Sequence, residues 1–137
     1  QMCIRDRGRR WRFWPLMGFL TAAVLGTLAH FAYRWSGGAL LAGVFCAVNE
    51  SVWEHMKLLF FPVFFFTAAQ FCMGERDGLL AARAVSVTAG LALIPTLYYT
   101  YTGIWGDHVL WADAAIFYLS AAVTFWMDDL LHRQRRL

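Results

Sequence analysis

The strongest constraint on this chain is a set of four apolar runs, each close to the roughly 20 residues that a helix needs to cross a hydrocarbon core about 30 Å thick. They extend from Trp11 to Tyr33, from Asn49 or Ser51 to about Met73, from about Leu79 to Tyr101 and from about Val109 to Leu131. Arg34-Trp35-Ser36-Gly37-Gly38 and Gly74-Glu75-Arg76-Asp77-Gly78 punctuate them with turn-forming glycines and charge. Composition agrees: 137 residues that are 60% hydrophobic and 15% charged are too apolar for a small water-soluble domain, and four spans leave no room for a second one. The predicted fold is an all-α integral membrane bundle of four transmembrane helices. Ala39 to Val48 is apolar but too short to cross. It is expected as a re-entrant or interfacial helix, which is tolerated at depth where protein or a wet cavity covers its backbone. Pro62 predicts a kink in the second span, and Pro95 lies near the far end of the third.

The expected organisation is a basic, disordered N-terminal leader at residues 1–10, a single transmembrane domain at 11–131 and a basic cytoplasmic tail at 132–137. Gln1 to Arg7 is read as a stray leader outside the native fold. The run from Trp11 to Tyr33 is long enough to span and lacks a small-residue cleavage site, which argues against a cleaved signal. Cys3, Cys46 and Cys72 are odd in number and far apart, so they are read as packing residues rather than a disulfide framework or a zinc knuckle. Ten of the twelve Lys and Arg residues fall in the N-terminal segment, around the Gly74 turn (Arg76 and Arg83) and in the tail, leaving Arg34 and Lys57 on the other face. The positive-inside rule then places both termini in the cytoplasm of what reads as a bacterial inner-membrane protein. The lipid bilayer is the expected partner and nothing points to nucleic acid. Four spans would need a homo-oligomer to enclose a pathway.

Against this background Asn49-Glu50-Ser51-Val52-Trp53-Glu54-His55-Met56-Lys57 stands out, because ionisable groups at membrane depth are costly unless paired or facing a cavity. Ser51 and Glu54 have the spacing of a capping box, and Lys57 lies one turn beyond Glu54, where it can pair with it. Capping needs neither His55 nor the acids of other helices. The expected topology brings further polar residues to the same face: His30 near the end of span one, Tyr98 and Tyr101 on span three, and Asp107, His108 and Asp113 around the start of span four. Gly18, Ala22 and Gly26 form a small-residue stripe whose next step of four is His30. Ala82, Ser86 and Gly90 repeat the pattern on span three, and Asp113, Ser120 and Thr124 form a polar line on span four. The candidate ligand-binding set is therefore His30, Asn49, Glu50, Glu54, His55, Tyr98, Tyr101 and Asp113, with Ser51, Glu54 and Lys57 as cap and ion pair.

Charge limits what such a site would take. Glu50, Glu54, Asp107 and Asp113 face Arg34 and Lys57, four acids against two bases, so with neutral histidines the face carries −2 and suits a cation or a proton. Glu50, Glu54 and His55 are the candidate metal ligands, although no HExxH spacing is present. A carboxylate beside a histidine could also serve as an acid/base pair.

Asn49 to Lys57 continuing as Leu58-Leu59-Phe60-Phe61-Pro62, with Tyr99-Thr100-Tyr101-Thr102-Gly103 before Trp111 and Asp113, resembles a family of small bacterial integral membrane proteins known only as a domain of unknown function. The likeness runs from about Phe13 to Leu131. It implies a compact multi-span helical protein and names no reaction. Three readings follow: binding or transport of a cation or small cationic molecule; a membrane-embedded lipid hydrolase or transferase, with or without a metal; and a structural or assembly subunit in which the polar cluster glues helices together. Whether the chain is an enzyme, and with what cofactor, stays open at this point.

Overall fold

The computed structural model describes the backbone of residues 2–45, 52–74 and 78–135, and the side chains of 13–32, 35–44, 52–74 and 78–134. All secondary structure in these residues is helical: α1 Met2–Trp35, α2 Leu40–Phe45, α3 Val52–Cys72, α4 Leu79–Trp105 and α5 Leu110–Arg135. Four stretches, Phe13–Ala32, Val52–Cys72, Leu79–Trp105 and Leu110–Gln134, are long and apolar enough to cross a membrane. The short α2 occupies the place expected for a re-entrant or interfacial piece. The basic residues from Arg5 to Arg12 lie within α1, consistent with the good helix propensity of arginine. Pro15, Pro62 and Pro95 all lie inside helices, and at Pro62 the Leu58 carbonyl loses its usual N–H donor.

The turns are glycine-dependent where the chain reverses most sharply. Gly78 (φ 66°) opens α4 and Gly106 (φ 87°) closes it, with the Gly106 N–H donating to the Thr102 carbonyl at 2.8 Å. Both occupy the left-handed region that a side chain disfavours. The antiparallel order gives the bundle two ends. The α1–α2 and α4–α5 connections lie at one, here called the tyrosine end; the α3–α4 connection lies at the other, the arginine end.

Packing follows the small-residue stripes. On α1, a Cβ built on Gly18 would sit 2.2 Å from the Phe125 ring and one on Gly26 2.3 Å from the Phe117 ring, with Ala22 buried between them. The absent side chains are what let two aromatic rings of α5 lie directly on the α1 backbone. On α4, a Cβ on Gly90 would meet Thr124 Oγ1 at 1.9 Å and the Ser120 carbonyl at 3.2 Å. One face of α5 therefore packs phenylalanines on α1, and the adjacent face sets Ser120 and Thr124 on α4. Leu58, Leu59, Val63 and Ile94 complete the core, while Phe64, Leu80, Val85 and Leu119 point outward, as lipid-facing positions should.

Candidate functional site

At the tyrosine end Tyr101 and His108 meet Asp113, in the first turn of α5. Its carboxylate is buried, at 4% exposure. Tyr101, from the last turns of α4, donates its hydroxyl hydrogen to Asp113 Oδ1 and accepts from the Val109 N–H at 3.2 Å, so one phenol ties the end of α4 to the start of α5. His108 Nδ1 lies 3.4 Å from Asp113 Oδ2, an oxygen with no hydrogen bond among the described residues. The His108 side chain is half exposed, so this partner is exchangeable with solvent. Tyr98 packs edge-on against Tyr101, their centroids 5.7 Å apart. A narrow recess with room for about one water molecule opens between α3, α4 and α5, lined by His55, Tyr98 and Asp113 above Ile94, Ile116 and Phe117. His55 in turn lies 5.9 Å from His30 of α1, centroid to centroid.

Four helices thus contribute His30, His55, Tyr98, Tyr101 and Asp113 to one neighbourhood. Glu54 binds Lys57 at 2.7 Å, as the spacing predicts, and Lys57 also donates to the Gly43 carbonyl at 2.8 Å. That second bond fastens α2 to α3 and gives the lysine a role that capping alone does not. Asn49, Glu50 and Ser51 lie outside the described residues, so the capping box and the Glu50 ligand remain sequence expectations. Among the described residues no group of three or more His, Cys, Asp and Glu side chains is placed to hold a metal ion. The tyrosines divide: Tyr99 is exposed, as in an interfacial belt, whereas Tyr98 and Tyr101 turn inward.

At the arginine end lies a second ionisable centre that the sequence reading missed. Arg83 of α4 is buried at 3% exposure and donates from Nε and Nη2 to the two oxygens of Asp128 on α5, at 3.2 and 3.1 Å. Nη2 also donates to Gln70 Oε1, and Nη1 to Thr67 Oγ1, both at 2.9 Å, which brings in α3. The guanidinium lies between the Phe66 and Phe125 rings, 5.4 and 5.2 Å from their centroids. His132 Nδ1 is 2.8 Å from the Asp128 carbonyl and 3.7 Å from its Oδ1. Arg83 is thus an interior group and not the loop charge that the topology count made of it. The signal was present: the polar line on α5 continues past Thr124 to Asp128 and His132 at steps of four.

A profile of the family of unknown function DUF6512 matches residues 5–133. The chain belongs to that family. Neither a curated protein nor a solved structure gives a significant match to this DUF6512 chain. Its chemistry has to be read from the two centres. They differ in one respect that matters: Asp128 has a fixed, always-charged partner, whereas Asp113 has two phenols, nearby imidazoles and an opening.

Proposed function

We propose that this chain is a multi-pass protein of the bacterial cytoplasmic membrane, both termini cytoplasmic, whose Asp113 centre binds a small inorganic cation, the proton included. The basic residues of the N-terminal segment and tail support that orientation, and four spanning-length helices support the location. One observation carries the ligand: Asp113 is buried beside a one-water recess, and one of its oxygens has no hydrogen bond among the described residues, with only the half-exposed, exchangeable His108 near it at 3.4 Å. An ionised carboxylate out of water is stable only with a countercharge or a full set of donors. Size then selects among cations. A recess for one water accepts lithium, sodium or a hydronium-like species and rejects a quaternary ammonium.

Thermal unfolding of the detergent-purified protein in lithium, sodium and choline chloride at equal ionic strength tests this reading. Lithium or sodium raises the melting temperature above that in choline, and Asp113→Asn removes the difference while still folding. Equal melting temperatures in all three salts, or a sodium effect that survives Asp113→Asn, would contradict it. If the polar cluster were only inter-helix glue, Asp113→Asn would lower the melting temperature equally in every salt.

A further inference from the structure

The α4 and α5 helices bring both ionisable centres onto one seam, in a constant antiparallel register. Tyr101 bonds Asp113 at one end, Gly90 faces Ser120 and Thr124 in the middle, and Arg83 bonds Asp128 at the other end. Asp113 and Asp128 are 15 residues apart, about 22 Å along the helix at 1.5 Å per residue, which is most of a hydrocarbon core. Between them the seam is lined by hydroxyls: Ser86, Ser120 and Thr124 are fully buried. Ser86 and Thr124 donate to carbonyls of their own helices, while Ser120 Oγ has no hydrogen-bond partner among the described residues. A hydroxyl in apolar surroundings without a partner is costly, and water is the usual solution.

We propose that the α4–α5 seam is a closed proton path across the membrane, shut by two barriers of different kinds. This rests on the reading of Asp113 as its entry site. The first barrier is the apolar layer of Ile94 and Phe117, which floors the Asp113 recess and separates it from the Ser120 level. Such a layer excludes water by dewetting. The second is Arg83. Both Asp128 oxygens accept from its guanidinium, and four of its five N–H donors are engaged. A proton reaching Asp128 must displace a permanently charged group, so the carboxylate that continues the polar line of α5 past Thr124 is occupied. Removing the arginine charge frees Asp128 to accept a proton from the seam and to release it at the arginine end, beside His132.

Proteoliposomes containing a trapped pH dye, with potassium and valinomycin to balance charge, give the test. The wild type and Ile94→Thr, which places a hydroxyl in the apolar layer but keeps Arg83, hold an imposed pH gradient as protein-free vesicles do. Ile94→Thr combined with Arg83→Gln dissipates it faster, by at least about ten-fold, because a unit charge a few ångströms from the path governs the barrier at low dielectric. Should that pair fail to fold by circular dichroism, Ile94→Thr combined with Arg83→His keeps a titratable partner for Asp128, and the leak is expected at alkaline pH, where the imidazole is neutral, and not at acid pH, where it is charged. A folded combination as tight as the wild type overturns the proposal, and so does Ile94→Thr alone leaking as fast as the combination. A leak that Asp113→Asn leaves unaltered refutes Asp113 as the entry, whereas a tight combination in a protein with Asp113-dependent sodium stabilisation refutes the seam alone.

Discussion

Gly90 is where the seam is tightest, and Gly90→Ala tests its register. The added methyl carbon would lie 1.9 Å from Thr124 Oγ1 and 3.2 Å from both the Ser120 carbonyl oxygen and Thr124 Cβ, far inside van der Waals contact. Thr124 is fully buried and its hydroxyl donates to the Ser120 carbonyl at 2.8 Å, so turning away from the new methyl would break that bond. Overpacking of this kind costs about 1–3 kcal/mol. Alanine recovers up to about 1 kcal/mol of helix propensity relative to glycine. The balance is a loss of up to about 3 kcal/mol, centred on about 1–2 kcal/mol. Thr124→Ala removes the colliding oxygen, so Gly90→Ala introduced on that background should be close to neutral. The coupling between the two substitutions is then about 1–2 kcal/mol in the compensating direction. Reversible unfolding in mixed detergent and dodecyl sulfate micelles, followed by tryptophan fluorescence, measures all four corners of the cycle. A neutral or stabilising Gly90→Ala in the wild-type background, with no coupling to position 124, would refute this packing of α4 on α5.

The two ionisable centres make separate predictions. Arg83→Met strips the charge partner from a carboxylate at 2% exposure and should cost about 3–5 kcal/mol, whereas Arg83→Met with Asp128→Leu should recover most of it. The same micelle unfolding assay reads both, and a double variant no better than the single would contradict a buried pair. Tyr101→Phe loses the bonds to Asp113 and to the Val109 N–H and should cost about 1–3 kcal/mol. Hydrogen exchange should then quicken at the first turns of α5 before it does so elsewhere; uniform acceleration would argue that Tyr101 does not clamp that end. Lys57→Met should free the Gly43 carbonyl and speed exchange in α2, with the four long helices unchanged.

Much of this architecture is legible in the chain because the bilayer imposes a single length scale. The four runs and their glycine breaks suffice to place α1, α3, α4 and α5, and the period of four in Gly18, Ala22 and Gly26 marks the face that receives Phe117 and Phe125. The grouping of His30 and His55 with Tyr98, Tyr101 and Asp113 was accessible for the same reason, since antiparallel spans of equal length bring their ends together. Arg83 was misplaced because a basic residue five positions after a loop glycine satisfies the positive-inside pattern equally well from loop or interior. Only its partner decides, and Asp128 is 45 residues away. Thr67 and Gln70 carry no periodic signal on α3, a helix apolar on nearly every side, so their role emerges only once Arg83 is in place.

The two carboxylates of α5 differ in kind: Asp113 borders an open recess, whereas Asp128 is held by Arg83. Infrared difference spectra recorded on exchanging choline for sodium around the membrane-reconstituted protein distinguish the two as cation sites. A carboxylate stretching band that shifts with sodium, vanishes in Asp113→Asn and persists in Asp128→Asn is the predicted result. A sodium-sensitive band that survives Asp113→Asn and disappears in Asp128→Asn would contradict it.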